Sequence, residues 1–256
     1  MKIGVIGYGN MGEAFAKALK GRSEILVYEV EEDKNHRAIR EGFGVAKELD
    51  FLVENTQWIL LAVKPKDAVD VLHALKGKLE DKILISVVAG MKLSSIHELC
   101  ESSKLIRLMP NINVLVRRAV IACAFGEVEK DNRKTFFNVF SACGNLYEIK
   151  EELFDLFTAL AGSGPAFVFK FIHALALAGV RGGFSYEMAK SIALDTVLGS
   201  CQLLKSLGGH PEEWVTKVAS PGGTTIEGIK TLEEKGFTGL VMECVERTSE
   251  KAKILL

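Results

Sequence analysis

The sequence has no long apolar run, no block of like charge, no paired cysteines and no clustered metal ligands, and each lack closes off a class of function. Its 256 residues carry 32 basic and 33 acidic side chains, a net of −1, without a basic stretch long enough to make a nucleic-acid or anionic membrane surface. Neither nucleic acid nor a membrane is expected as a partner. The longest apolar run, Ala166 to Val180, has 15 residues and contains Lys170 and His173, short of the roughly 20 that a helix needs to cross a bilayer. Met1 leads directly into Lys2-Ile3-Gly4-Val5-Ile6, without the charged region, apolar stretch and cleavage site of a signal peptide, so a cytoplasmic protein is expected.

Cys100, Cys123, Cys143, Cys201 and Cys244 stand singly, an odd number with no spacing suited to zinc or redox work. In a reducing compartment they are expected as small buried apolar residues. His36, His73, His97, His173 and His210 are equally isolated, without metal-ligand spacing. No internal repeat or low-complexity tract is visible.

Two periodicities divide the chain. Up to about residue 150, Ile3 to Ile6, Ile25 to Tyr28, Ile59 to Val63, Ile83 to Val88 and Ile121 to Ala124 read as strands, the central ones apolar on both faces as a buried parallel sheet requires. Between them, Ala14, Phe15, Ala18 and Leu19, and later Val69, Leu72 and Leu75, recur at helical spacing. The alternation predicts an α/β fold with a Rossmann-like, doubly wound parallel sheet over residues 1–150. From 151 to 256 the period changes: Leu153, Phe157 and Leu160, then Phe167, Phe171, Ala174, Leu175 and Ala178, then Ile192, Ala193, Thr196, Val197 and Ser200 mark an all-helical domain. Its inward positions are rich in Ala, Gly and Ser, which permit close helix approach, and about 100 residues make a small bundle whose apolar faces a second copy would complete. A homodimer or higher homo-oligomer is therefore expected.

The first strand runs into Gly7-Tyr8-Gly9-Asn10-Met11-Gly12 and then into a helical pattern. That context gives each glycine a task at a dinucleotide site: Gly7 for the tight turn, Gly9 for backbone approach to a pyrophosphate, Gly12 for close packing of helix on sheet. Glu29 stands at the end of the second strand, twenty residues after Gly9, where an acidic side chain accepts hydrogen bonds from the adenosine ribose and repels a 2′-phosphate. It favours NADH, while Lys34 and Arg37 close by favour NADPH, and the choice between them stays open. Ala62-Val63-Lys64-Pro65 and Ala89-Gly90 leave two later strands where open parallel sheets place ligand-contacting loops.

Deep in the helical half stands Ala219-Ser220-Pro221-Gly222-Gly223-Thr224-Thr225-Ile226-Glu227. Thr224 with Glu227 fits a capping box, which leaves the adjacent glycines unexplained, since a cap needs only one flexible residue. Gly162-Ser163-Gly164-Pro165 reads as a helix start with proline in the first turn.

Taken together, GYGNMG, LAVKP, SVVAG, IRLMPN, LAGSGPAF and SPGGTTIEG resemble, in order and spacing and over essentially the whole chain, the pyrroline-5-carboxylate reductases. The resemblance implies a dinucleotide-binding domain, a helical dimerisation domain, and hydride transfer from NADPH or NADH to the C=N bond of 1-pyrroline-5-carboxylate, giving L-proline. By it, Gly7, Tyr8, Gly9, Asn10, Met11 and Gly12 would hold the pyrophosphate, with Glu29 at the ribose. Ala62, Val63, Lys64, Pro65, Ala89 and Gly90 would line the nicotinamide half. Ser220, Gly222, Gly223, Thr224 and Thr225 would hold the substrate, with Thr225 nearest its ring nitrogen, and Glu151 would lie at the substrate site too. The chemistry fits: two glycines leading into a helix start offer bare N–H groups to a carboxylate, and an iminium arriving protonated needs no strong enzyme acid.

Two departures stand out. Ile112-Asn113 follows Asn111 where the family usually has Thr-Pro, and Glu29 stands where it often carries a small polar residue suited to NADP. The rivals are a β-hydroxyacid dehydrogenase or imine reductase of the same plan, for which Lys170 or Lys190 would be the catalytic lysine, and a non-catalytic nucleotide-binding protein.

Overall fold

Every residue of Trp58-Ile59-Leu60-Leu61 and of Ile83-Leu84-Ile85-Ser86 is buried, as strands covered on both faces must be. They are β4 (Trp58–Leu61) and β5 (Ile83–Ser86), at the centre of an eight-stranded sheet of order β3-β2-β1-β4-β5-β6-β7-β8. This computed structural model describes residues 1–254. The other strands are β1 (Lys2–Ile6), β2 (Glu24–Tyr28), β3 (Gly44–Val45), β6 (Leu105–Met109), β7 (Ala119–Phe125) and β8 (Gly144–Glu148). β3 through β6 are parallel, with Ile6 beside Tyr28 on one side and Leu61 on the other.

The sheet is not parallel throughout, because β7 runs antiparallel to β6. Only residues 110–118 join them, fewer than the dozen or so that a parallel crossover requires. The connection from β7 to β8 contains α6 (Lys130–Phe140), and that pair is parallel again. Three strands went unread in the sequence: β3 has two residues, β8 alternates half-buried with exposed positions, and β6 carries Arg107 inside an apolar run.

Alternate residues of the strands feed two cores. Val5, Val27, Leu60 and Ile85 face α1 (Asn10–Leu19) and α6, where Phe15, Trp58, Phe136 and Phe140 pack together and the last two rings stack at 4.8 Å. Ile6, Leu26, Ile59, Leu61 and Leu84 face the opposite way, toward Leu52, Leu72, Leu75 and Ile96 of α3 (Leu49–Glu54), α4 (Pro65–Leu75) and α5 (Leu93–Cys100). A side-chain period of two in the strands, with helices on both faces, is the doubly wound arrangement. α2 (Glu32–Arg40) sends only Ala38 into the core.

The chain divides into two compact units, Met1–Ser163 with the stretch from Thr248 onward, and Gly164–Arg247. The second unit is helical: α8 (Gly164–Arg181), α9 (Tyr186–Leu207), α10 (Pro211–Val218), α11 (Thr224–Glu234) and the start of α12 (Phe237–Lys253). α8 and α9 approach so closely that a Cβ on Gly179 would stand 2.9 Å from the Ala189 methyl. Of the helical-period residues read from the sequence here, only Ala193 is fully buried, and Phe171, Leu175 and Ile192 are exposed. Those positions do not point into a core of this chain's own.

The GSGP segment starts a helix with Pro165 in its first turn, as expected. α8 does begin at Gly164, but no loop precedes it: a short 3-10 turn (Glu151–Leu153), α7 (Phe154–Phe157) and a π turn (Thr158–Gly162) lead into it, with Ser163 N–H donating to the Thr158 carbonyl at 2.8 Å. The helical run Glu151–Arg181 is thus 31 residues long and is long and apolar enough, by length and composition, to cross a membrane, which the 15-residue apolar run did not suggest. Cys100, Cys123 and Cys143 are buried as expected, whereas Cys201 and Cys244 are exposed.

Candidate active site

The first site is built where β1 stops. Gly7 adopts φ +93°, a left-handed conformation that glycine enters without penalty, and any Cβ there would stand 2.8 Å from the Ala62 carbonyl oxygen. Gly9 starts α1 without a side-chain cap, and a Cβ built on it meets nothing within 4 Å. Gly12 is the opposite case, since its Cβ would fall 1.9 Å from the Gly7 carbonyl oxygen. Gly7 turns the chain, Gly12 lets helix and strand close up, and Gly9 faces open space at an uncapped helix N-terminus, a ready receptor for an anion.

A cavity of about 340 Å³ opens beside this loop, at the carboxyl ends of β1, β2 and β4. Gly7, Gly9, Glu29, Ala62, Val63 and Lys64 line it together with Lys34, and so do Lys66 and Asp70, which the sequence did not single out. Tyr8, Asn10, Met11, Gly12, Pro65, Ala89 and Gly90 do not line it. A larger cavity of about 560 Å³ lies at the other end of the sheet, by Lys2, Arg22 and Glu24, where the open-sheet rule places no ligand. Pro65 opens α4 instead of merely ending a strand, and β4 stops at Leu61, two residues before the expected end.

Tyr8 and Glu29 are more deeply engaged than the sequence suggested. The Tyr8 ring is buried beside Phe43 at 6.0 Å, and its hydroxyl donates to Glu41 Oε2 at 2.6 Å. Burial, then the Glu41 carboxylate, pushes its pKa well above the usual phenol value. The Glu29 carboxylate accepts the Tyr8 N–H at 2.7 Å, its own neighbour Val30 N–H at 2.8 Å and Glu31 N–H at 3.1 Å, with Lys34 Nζ 3.8 Å away. These donors hold the charge of Glu29 at one place on the rim of the cavity.

The second site lies in the helical unit. Gly223 N–H donates to the Ser220 carbonyl at 3.1 Å, with Pro221 at the second position and Gly222 at φ +67° in the third, the residue pattern of a type II turn. A Cβ on Gly223 would stand 2.4 Å from Ser220 Oγ. Each glycine therefore has its own conformational reason, one the left-handed backbone and the other the close approach. The capping box does not form. α11 starts at Thr224, the cap position is Gly223, and no side chain caps it. Thr224 sits one residue too far along for its hydroxyl to act as the cap with Glu227. Among the described residues neither the Thr224 nor the Thr225 hydroxyl has a hydrogen-bond partner, and Thr225 is half-buried. The turn delivers an open helix start with free N–H groups and a free hydroxyl on its first turn.

Glu151 has partners within the first unit. Its Oε1 accepts Arg107 Nη1 at 2.8 Å and the Leu93 N–H at the start of α5 at 2.8 Å. Arg107, buried on β6, lies 4.5 Å over the Phe154 ring. A buried guanidinium requires such a partner, yet a separation of 44 positions hid the pair from the sequence.

A model described as pyrroline-5-carboxylate reductase dimerisation matches residues 151–255, and one described as NADP oxidoreductase, coenzyme F420-dependent, matches residues 2–90. The pyrroline-5-carboxylate reductase of Aquifex aeolicus is 49% identical over 260 residues, covering 100% of this chain and 97% of the relative. This chain belongs to the pyrroline-5-carboxylate reductase family. The Arabidopsis thaliana reductase is 35% identical over 99% of the chain and 95% of its own length. Among solved structures, the reductase of Streptococcus pyogenes matches with a TM-score of 0.91 at 33% identity, covering 100% of this chain and 99% of that one. The Plasmodium falciparum reductase, with NADP bound, matches at 0.88 and 31%, covering 99% and 97%. A ketol-acid reductoisomerase at 16% identity and a prephenate dehydrogenase at 14% share the fold alone. The rival hydroxyacid-dehydrogenase reading has no support at this level, and Lys190, one of its two candidate lysines, is tied to Glu187 at 2.5 Å.

Proposed function

We propose that this member of the pyrroline-5-carboxylate reductase family binds 1-pyrroline-5-carboxylate on the first turn of α11 and reduces its C=N bond with NADH or NADPH, giving L-proline. As a family member the chain is an NAD(P)H-dependent oxidoreductase. The observation that carries the substrate placement is the uncapped start of α11 behind the Ser220–Gly223 turn. A carboxylate set there meets free backbone N–H groups and the positive end of the helix dipole, so no arginine is needed. The free Thr225 hydroxyl donates to or accepts from the ring nitrogen and fixes which face of the imine is presented. Such orientation is worth several kcal/mol of barrier in favourable cases. When bound, the reduced nicotinamide supplies the hydride, and the residues described here bind and orient.

For the cofactor we assign Gly7, Tyr8, Gly9, Asn10, Met11 and Gly12 to the pyrophosphate loop, Glu29 to the ribose end, and Ala62, Val63, Lys64, Pro65, Ala89 and Gly90 to the nicotinamide half. The open space above Gly9 supports the loop assignment. The fixed charge of Glu29 makes NADH the better donor of the two. Ser220, Gly222, Gly223, Thr224 and Thr225 form the substrate cradle, and Glu151, which also holds Arg107, is assigned to the substrate with them. Residues 1–150 are the cofactor domain, and residues 151–256 are the substrate and self-association domain of a soluble, cytoplasmic homo-oligomer. The match of the dimerisation model to residues 151–255 supports that division.

Steady-state reduction of pyrroline-5-carboxylate with each cofactor tests the reading. Turnover is expected with both and a higher kcat/KM with NADH. No turnover with either overturns the reaction, and a marked preference for NADPH overturns the part given to Glu29. Thr225→Ala is expected to lower kcat at least about tenfold with cofactor KM nearly unchanged, and an unaffected kcat removes Thr225 from the mechanism.

A further inference from the structure

Around Tyr8 a circuit of charges closes on itself. The Tyr8 carbonyl accepts Arg37 Nη2 at 3.0 Å, and the same nitrogen lies 2.9 Å from Glu13 Oε2. Glu13 Oε1 pairs with Lys17 Nζ at 2.6 Å, Lys17 Nζ with Glu41 Oε1 at 3.0 Å, and Glu41 Oε2 takes the Tyr8 hydroxyl at 2.6 Å. Arg37 also lies over the Tyr8 ring, 5.6 Å from its centre. With the Tyr8 N–H held by Glu29, every polar group of this residue is engaged inside the chain.

That engagement has a geometric consequence. In a trans peptide the carbonyl and the following N–H point in opposite directions. Drawing the Tyr8 carbonyl toward Arg37 therefore turns the Gly9 N–H the other way, and holding the Tyr8 N–H on Glu29 turns the Gly7 carbonyl onto Gly12, so close that it leaves no room there for a Cβ. Gly7 and Gly9 have the widest backbone freedom in the loop, so the residue between them decides where their peptide groups face. Glu41 is the member of the circuit best suited to act at a distance. It follows α2, it does not line the cofactor cavity, and its direct route to the loop is the Tyr8 hydroxyl, the longer one running through Lys17, Glu13 and Arg37 to the Tyr8 carbonyl. Burial works against its charge, but the Tyr8 hydroxyl and Lys17 outweigh it and keep the carboxylate ionised.

We propose that Glu41 is a positioning residue for the cofactor: through the Tyr8 hydroxyl it holds the glycine loop in its anion-receiving conformation before the dinucleotide arrives. The loop then loses less freedom on binding, and the gain falls on affinity for the pyrophosphate, which NADH and NADPH share. This rests on the assignment of Gly7 to Gly12 to the pyrophosphate, and the test separates the two.

Wild type, Glu41→Ala, Glu41→Gln and Gly9→Ala are compared for kcat and KM with NADH and with NADPH, alongside their melting temperatures. Glu41→Ala is expected to raise KM about three- to tenfold for both cofactors, by the same factor, at unchanged kcat. Glu41→Gln, whose amide oxygen still accepts the Tyr8 hydroxyl, returns KM most of the way. Gly9→Ala, which meets no atom of the chain, is expected to raise KM without lowering the melting temperature. Wild-type KM in folded Glu41→Ala, a shift in the NADH to NADPH ratio, or equal effects of Ala and Gln overturns the role of Glu41 while Gly9→Ala is impaired. An unimpaired Gly9→Ala overturns the loop assignment and this inference with it. Should Glu41→Ala fail to fold, Tyr8→Phe removes the same hydrogen bond while keeping the ring, and a wild-type KM there overturns the proposal.

Discussion

The α/β unit and the helical unit spend their apolar residues in opposite ways. In the first, strands and helices bury Phe15, Leu60, Phe136 and Phe140 completely. In the second, among the described residues, only Ala176, Ala189 and Ala193 are fully buried, while Phe169 is 60% and Leu198 65% exposed. Exposed apolar surface on that scale marks an interaction face, and the dimerisation model covers this part of the chain. One unit carries its own core, whereas the other leaves its apolar helix faces uncovered within the chain.

The sharpest way to break the contrast is to charge the helical face. The double substitution Phe169→Glu with Leu198→Glu is expected to give a monomer by light scattering and to lower turnover at least about 100-fold, the outcome where a subunit has no stable form alone. A wild-type chain already monomeric at micromolar concentration would remove the contrast altogether. Next in size, Phe136→Ala is expected to lower the free energy of unfolding by about 3–5 kcal/mol in denaturant titrations, with the oligomer retained at low denaturant. A cost below about 1 kcal/mol would mean that the α/β core is not self-sufficient.

Alkaline pH gives a graded test. Burial pushes the Cys123 and Cys143 thiols up to about 12, raises Cys100, and raises Tyr8 with help from Glu41. Groups whose folded pKa is raised add stability that is complete below their unfolded values and is lost as pH climbs toward the folded ones. Unfolding free energy is thus expected to fall from about pH 9 to 12, by at most about 1.4 kcal/mol per pH unit for each group. All four groups lie in the α/β unit, so a flat stability profile over that window would show that this unit does not set the stability of the whole.

Much of the architecture was legible because it rests on short-range pattern. Short branched apolar runs announced β4 and β5, broken only by Ser86, and the alternation with helical periods announced the doubly wound sheet. β6 was not legible, since Arg107 in its middle reads as a surface residue until Glu151 and Phe154 are seen around it. The turn of direction at β7 was hidden in the length of a connection whose ends had not been recognised. In the helical unit the period was legible but its meaning was inverted: inward and outward faces look alike in sequence when both are apolar.

The sequence by itself determined the local devices. A glycine needed for the tight turn at Gly7, and one needed for close approach at Gly12, are conditions on a few neighbouring atoms, so residue type and spacing were enough to announce them. Tertiary structure alone decided what those devices work with. It filled the polar groups of Tyr8 from Glu29, Arg37 and Glu41, gave Glu151 to Arg107, and left the start of α11 uncapped where the pattern had promised a cap. Hydrogen bonds and ion pairs depend on distances in space, and a shift of one residue in where a helix begins separates a closed cap from an open anion site.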